Sequence, residues 1–154
     1  MGYIDHNLLP GETVVDRARL HAIIFLPALG VGLLGALVLV VALGSPQLHA
    51  LVWVAALLLV VAVAIWLARY VKYRTSEFAI TDKRVLVKVG LVRRHTLELL
   101  LSKVETVGVE QTVWGRLLNF GTIVVTGTGG TKEPFQAIAH PLEFRKQVQA
   151  RAIA

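Results

Sequence analysis

Two long apolar segments joined by one short turn constrain the fold of this chain more than any other feature. No charged residue occurs in residues 23–43 or in residues 47–68. A helix needs roughly 20 apolar residues to cross a bilayer core about 30 Å thick, and each segment has that length. The Gly44-Ser45-Pro46-Gln47 sequence between them is a turn signal, at which one helix ends and the chain reverses. We therefore predict a transmembrane helical hairpin over residues 21–70.

Neither apolar segment carries a charged side chain in its interior. Two buried helices of a soluble protein would instead show polar residues at helical spacing on an outer face. Ionisable residues within membrane spans usually mark ion pathways or proton relays. The pattern therefore argues against a soluble helical core and also against a transporter or pump.

Basic residues flank the predicted hairpin on one side only. Arg17 and Arg19 precede the first segment, Arg69, Lys72 and Arg74 follow the second, and the connecting turn has no Lys or Arg. Because cytoplasmic loops are enriched in Lys and Arg, this distribution predicts a multi-pass protein of the inner membrane with both termini in the cytoplasm. We expect the three basic residues after the second segment to contact the membrane surface.

Small residues recur at four-residue spacing along both segments. They are Ala28, Gly32 and Ala36 in the first segment and Ala64 and Ala68 in the second. Stripes of this kind allow helix backbones to approach closely in lipid. We predict that they pack the two helices of the hairpin together and, secondarily, that they support self-association. The alternative is that Gly and Ala are simply common in membrane helices.

About 100 residues remain outside the hairpin, enough for one small cytoplasmic domain over residues 71–154. Residues 1–20 form an N-terminal segment, in which residues 1–7 are polar and expected to be loosely held. Residues 13–19 are short and rich in β-branched side chains, which favours a strand. An amphipathic helix leading into the membrane is the alternative. If residues 13–19 form a strand, the only sheet that it can join lies after the hairpin.

After Tyr73 the sequence alternates between apolar and polar residues, as antiparallel strands with one polar face do. The alternating segments are residues 74–81, 84–89, 94–100 and 105–111, with further strands expected at 121–126 and 132–136. Pro141 opens a final helix at the favoured first position. The apolar residues Val113, Trp114, Leu117 and Leu118 suggest a helical turn covering one end of the core. The predicted fold is a membrane hairpin plus a small antiparallel β-barrel or sandwich closed by a C-terminal helix.

Five short sequences of the chain form a recognisable set: residues 9–12 (LPGE), 73–85 (YRTSEFAITDKRV), the turn at Gly90, 102–105 (SKVE) and 114–122 (WGRLLNFGT). Together with the helix that begins at Pro141, they resemble the bacterial pleckstrin-homology domain of the YdbS-like membrane proteins. The resemblance implies a seven-stranded barrel plugged by the C-terminal helix. Eukaryotic pleckstrin-homology domains bind phosphoinositides through a basic motif, which Lys83, Arg84 and Lys88 match poorly. Phosphoinositide specificity is therefore not expected.

Residues that would support catalysis or metal binding do not group in the sequence. The chain has no cysteine, and its five histidines fall in separate segments without metal-ligand spacing. The glycine-rich residues 127–132 lack the spacing and the following helix of a phosphate-binding loop. We therefore expect no enzyme activity, no metal and no cofactor. The net charge of +6 points to an anionic lipid surface rather than to nucleic acid.

The turn after the second predicted strand after the hairpin carries two apolar and two basic residues, Leu91, Val92, Arg93 and Arg94. The first strand after the hairpin leaves the membrane at Arg74 and covers roughly 25 Å at about 3.3 Å per residue. The second strand then brings the chain back towards the membrane. We expect these four residues to contact the inner leaflet. The alternative is an ordinary hairpin with solvated charges.

These observations predict a membrane-anchored, non-catalytic binding or scaffolding module. It would act through the lipid bilayer surface and through a protein partner or self-association, not through nucleic acid. The alternative function is an accessory or regulatory subunit that packs its hairpin against a larger membrane complex.

Overall fold

The computed structural model describes residues 3–90, 95–130 and 132–152, with only the backbone described at His95 and Ala152. Its helices are α1 (Tyr3–His6), α2 (Leu26–Gly44), α3 (Leu51–Thr75), α4 (Val113–Leu117) and α5 (Pro141–Ala152). Its strands are β1 (Val14–Ala18), β2 (Glu77–Thr81), β3 (Arg84–Val89), β4 (His95–Leu100), β5 (Val104–Glu110), β6 (Phe120–Gly127) and β7 (Lys132–Ala139). The chain forms two compact units, which we call the helical unit (Ala22–Lys72) and the strand unit (Met1–His21 with Tyr73–Ala154).

Within the helical unit, α2 and α3 pack through small residues that repeat every seven positions. Ala28, Gly35 and Ala42 of α2 are buried, as are Ala55 and Ala62 of α3. A Cβ atom added at Gly35 would lie 3.1 Å from the Cβ of Leu58, which is closer than an ordinary van der Waals contact, so the two backbones approach closely there. A seven-residue repeat is the seam of helices crossing at about 20°.

The predicted four-residue stripes do not describe this seam. Ala28 is buried and Gly32 faces Ala62, whose Cβ would lie 3.7 Å from an added Cβ. Ala36, Ala64 and Ala68 are exposed on the helical unit. For Ala36, Ala64 and Ala68, the predicted role in packing the hairpin is therefore wrong. A four-residue stripe suits a steeper, right-handed helix crossing of about 40°. The predicted role of these residues in self-association stays a prediction.

The strand unit contains two antiparallel sheets. The first has the order β1-β2-β3-β4 and the second the order β5-β6-β7. A bridge between Leu20 and Ile138 links them, and the Ala139 N–H donates to the Arg19 carbonyl at 2.9 Å. Antiparallel strands followed by a C-terminal helix were predicted, and they are confirmed. The barrel that the resemblance implies stays a prediction, because the described strands form two sheets.

The main core of the strand unit lies between the two sheets and α5. Phe78 of β2 meets Phe135 of β7 edge to face, with ring centroids 6.0 Å apart. Ile123 is 1% exposed, and α5 contributes the buried Phe144 and Val148. Burying a side chain of this size contributes about 1.5–3 kcal/mol, so α5 is a structural part of the core.

A second, smaller core lies on the other face of the first sheet. Ile4 of α1 is 1% exposed and packs against Ala79 and Leu86. The Glu77 carboxylate accepts hydrogen bonds from the backbone N–H groups of Tyr3 and Ile4, at 3.0 and 3.1 Å. Two predictions are therefore wrong: residues 3–6 form a helix that Ile4 packs against the sheet rather than a loosely held segment, and strands β2 and β3 are buried on both faces. Ala79 leaves the room that Ile4 fills.

Candidate functional site

A buried charged network joins the N-terminal segment to the turn between β2 and β3. The Arg84 guanidinium donates to both carboxylate oxygens of Glu12, with Nε–Oε1 and Nη2–Oε2 distances of 2.9 Å. The Thr81 hydroxyl donates to Glu12 Oε1 at 2.7 Å and accepts from the Arg84 N–H at 3.0 Å. The Glu12 side chain has no exposed surface, and that of Arg84 is 10% exposed. Paired charges with this bidentate geometry are the kind that tolerate burial.

The network changes the protonation of its members. Hydrogen bonds from Arg84 are the largest cause of a low pKa at Glu12, which falls to about 2 although burial opposes the shift. The hydrogen bond to Glu12 raises the pKa of Arg84 further above its usual value. Both groups are therefore charged at every physiological pH, which suits a structural ion pair and not a proton-transferring pair.

The same network accounts for the segments that carry the family resemblance. Arg84 also donates to Glu98 and to the Asn7 carbonyl, so its guanidinium is committed within the protein. Lys88 lies over the ring of Tyr3, with its Nζ 4.8 Å from the centroid. Two of the three residues weighed as a basic lipid-binding motif thus have internal partners. The sequence shows both segments, residues 9–12 and 73–85, but it does not show that Glu12 of the first binds Arg84 of the second.

A basic cleft of about 270 Å³ lies where β1 ends and β2 begins. Its lining includes the exposed side chains of Arg17, Arg19 and Arg74, together with Ser76 and Glu77. Arg17 forms an ion pair with Asp5 of α1. Three guanidinium groups around two carboxylates leave the cleft with a net positive charge, which suits an anionic group such as a phosphate. Arg74 was predicted as a contact site; Arg17 and Arg19 were noted only as topological markers.

Two other predicted surface residues, Arg69 and Lys72, belong to the helical unit. Arg69 is half-buried and Lys72 is exposed, both in the last turns of α3. Leu91, Val92, Arg93 and Arg94 lie outside the described residues. Contact of all these residues with the membrane stays a prediction.

The apolar side chains of α4 are exposed, contrary to prediction. Val113 is 82% exposed, Trp114 69% and Leu117 73%, and Leu118 directly after the helix is 45% exposed. The prediction that they cover the core is therefore wrong, and the buried Phe144 and Val148 of α5 contribute to the core instead. We call these four residues the α4 surface.

In the part of the chain that the structure describes, no group of three or more His, Cys, Asp or Glu side chains could hold a metal ion. The predicted absence of a metal, a cofactor and a catalytic site stays a prediction. The candidate contact features among the described residues are the basic cleft and the exposed α4 surface.

Comparison with known families gives a match over most of the chain. The sequence model described as bacterial PH domain matches residues 21–152. No curated protein and no solved structure matches the chain significantly. The family match covers α2 and α3, the strands from β2 to β7 and α5, and it begins after β1 and Glu12. This chain belongs to the bacterial PH domain family.

Proposed function

We propose that this protein is a membrane-anchored, non-catalytic binding or scaffolding module whose strand unit lies on the cytoplasmic side of the inner membrane. One observation carries the proposal: α2 and α3 expose their apolar surfaces. The two candidate spans are Ala22–Gly44 and Leu51–Thr75, and only 17% and 11% of their most apolar windows are buried. Core helices of a soluble protein are mostly buried, so surfaces this apolar need a cover, which a bilayer supplies.

The position of the hairpin in the chain supports an anchoring role. The strands β1 and β2 are antiparallel neighbours, and Ala18 pairs with Phe78. The chain therefore leaves the strand unit and returns to it at adjacent points of one sheet. Arg19 and Arg74 stand close to these two points in the sequence, as expected for basic residues at a cytoplasmic membrane surface.

Membership of the family supports binding rather than catalysis, since PH domains generally mediate protein or lipid contacts. The basic cleft offers a place for an anionic group, and each basic residue near an anionic leaflet contributes about 1 kcal/mol. These groups act on a domain that the hairpin already holds at the membrane. The alternative role, an accessory subunit of a larger membrane complex, predicts that the other subunits of that complex co-purify with this protein after mild solubilisation.

Two arginines placed on the lipid-facing surfaces of the helices test the anchor. Leu34 of α2 and Val60 of α3 are 52% and 66% exposed, and an arginine near a span centre costs about 2.5–3.5 kcal/mol. We expect the native chain to resist alkaline extraction from membranes, and the variant Leu34→Arg/Val60→Arg to be extracted or degraded. The matched variant Leu100→Arg, at a leucine 46% exposed in the strand unit, should stay in the membrane. Extraction of the native chain would contradict the proposal.

A further inference from the structure

The α4 surface is held rigidly in its exposed position. The Thr112 hydroxyl caps α4 by accepting from the Gly115 N–H at 3.0 Å, and the Gln111 amide donates to the Phe120 carbonyl at 2.9 Å. A Cβ atom added at Gly115 would lie 2.7 Å from the Phe120 oxygen, so the helix is pressed against the start of β6. The exposure of its apolar side chains is thus part of the fold.

The chemistry of the α4 surface suits a lipid interface. A tryptophan and three aliphatic side chains are exposed together, with Arg116 on the same short helix. Contiguous exposed apolar surface marks a protein or membrane contact. Tryptophan favours the headgroup region of a bilayer, and a basic neighbour can pair with lipid phosphates.

Contacts within the strand unit place this surface close to His21, the last residue of the strand unit before the hairpin. The Phe120 ring stacks on the His21 ring with centroids 5.1 Å apart. His21 is bonded to Ala22, the first residue of the candidate span. The Cα atom of Leu118 lies at most about 7 Å from that of Phe120, since each residue spans at most about 3.6 Å. The α4 surface therefore lies at the same end of the strand unit as the point from which the chain continues into the hairpin.

We propose that the α4 surface inserts into the headgroup region of the inner leaflet, as a second membrane contact of the strand unit. The inference rests on the proposed membrane anchor. Proximity to His21, from which the chain continues into the proposed anchor, favours lipid over a protein as the occupant. The hairpin makes the contact intramolecular, so a small apolar surface suffices to fix the tilt of the domain.

The three tryptophans of the chain allow each claim to be read separately. Trp53, 80% exposed near the start of α3, reports on the anchor when Trp66→Phe and Trp114→Phe are combined. Trp114 reports on the inference when Trp53→Phe and Trp66→Phe are combined. The matched control adds Leu100→Trp to a chain with all three tryptophans replaced by phenylalanine. Leu100 pairs with Arg84 beside the β2–β3 turn, away from the end where β1 leads to the hairpin.

Each full-length variant is reconstituted in vesicles of equal parts phosphatidylglycerol and phosphatidylcholine, with the phosphatidylcholine brominated on its acyl chains. We expect Trp53 and Trp114 to lose most of their emission relative to unbrominated vesicles, with a blue-shifted maximum for Trp114, while the control at position 100 keeps its emission.

The outcomes separate the inference from the proposal on which it rests. Quenching of Trp53 without quenching of Trp114 overturns the inference and leaves the anchor intact. If Trp114 is also protected from aqueous iodide, a protein covers the α4 surface instead of lipid. Equal quenching at positions 114 and 100 overturns it as well, because the strand unit then contacts lipid without orientation. If Trp53 escapes quenching, the anchor fails and the inference fails with it.

Discussion

Replacing Glu12 by glutamine should destabilise the strand unit by about 3–5 kcal/mol, the usual cost of removing one partner of a buried ion pair. The variant leaves the Arg84 guanidinium buried without its bidentate partner, and the exposed Glu98 compensates only in part. Small domains have total stabilities of about 5–15 kcal/mol, so the loss is large. Chemical denaturation of the detergent-solubilised chain, followed by circular dichroism, measures it.

The chain offers a matched control in its exposed ion pair. Arg17 and Asp5 are 48% and 36% exposed, and exposed pairs contribute about 0–1 kcal/mol. Asp5→Asn should therefore have little effect. Equal losses for Glu12→Gln and Asp5→Asn would show that the buried network has no special role.

The same pair makes stability depend on pH at the acid end. Because folding lowers the pKa of Glu12 from 4.5 to about 2, its contribution is fully present above pH 4.5 and is lost as the pH falls towards 2. A shift of this size corresponds to about 3 kcal/mol. The difference in stability between the native chain and Glu12→Gln should therefore shrink over that interval. A difference that stays constant down to pH 2 would contradict this account.

Deleting residues 1–19 should leave the strand unit without a cooperative unfolding transition. The deletion removes β1, which pairs along β2, and it removes Ile4 from the second core. It also removes Glu12, the buried bidentate partner of Arg84, and leaves only the exposed Glu98 to pair with that guanidinium. These losses together approach the whole stability of a small domain. Circular dichroism and denaturant titration of the shortened chain in detergent provide the measurement.

A peptide of residues 3–20 added to the shortened chain is the control for this deletion. If the loss comes from missing strand pairing and the missing ion pair, the peptide should restore a cooperative transition. The same peptide carrying Glu12→Gln should restore it less well. A shortened chain that unfolds as cooperatively as the native protein would show that residues 1–19 do not belong to this domain.

Local patterns in the sequence predict the elements that depend on local physics. Alternation after Tyr73 predicts the antiparallel strands, and Pro141 predicts α5. The inward positions of Phe144 and Val148 follow from helical spacing. These predictions succeed because each sequence signal is contained within one helix or strand.

Features that depend on distant contacts are not predictable in this way. The polar appearance of residues 3–7 conceals Ile4, which is buried only because Ala79 is small and Glu77 binds the start of α1. The seam of the hairpin depends on the crossing angle of two helices, and either stripe of small residues is compatible with the sequence. The prediction for the apolar residues of α4 is wrong for a related reason. Apolar side chains favour contact with other apolar groups, and the sequence does not distinguish a protein core from a binding surface.

Thiol accessibility tests the membrane anchor most directly, because the chain has no cysteine of its own. Two variants each introduce one thiol at an exposed position: Gln47→Cys in the turn between α2 and α3, and Thr128→Cys between β6 and β7. In bacterial spheroplasts, an impermeant maleimide should label position 47 at once and position 128 only after lysis. Labelling of position 128 in intact spheroplasts, or of position 47 only after lysis, would contradict a hairpin that spans the membrane from the cytoplasmic side.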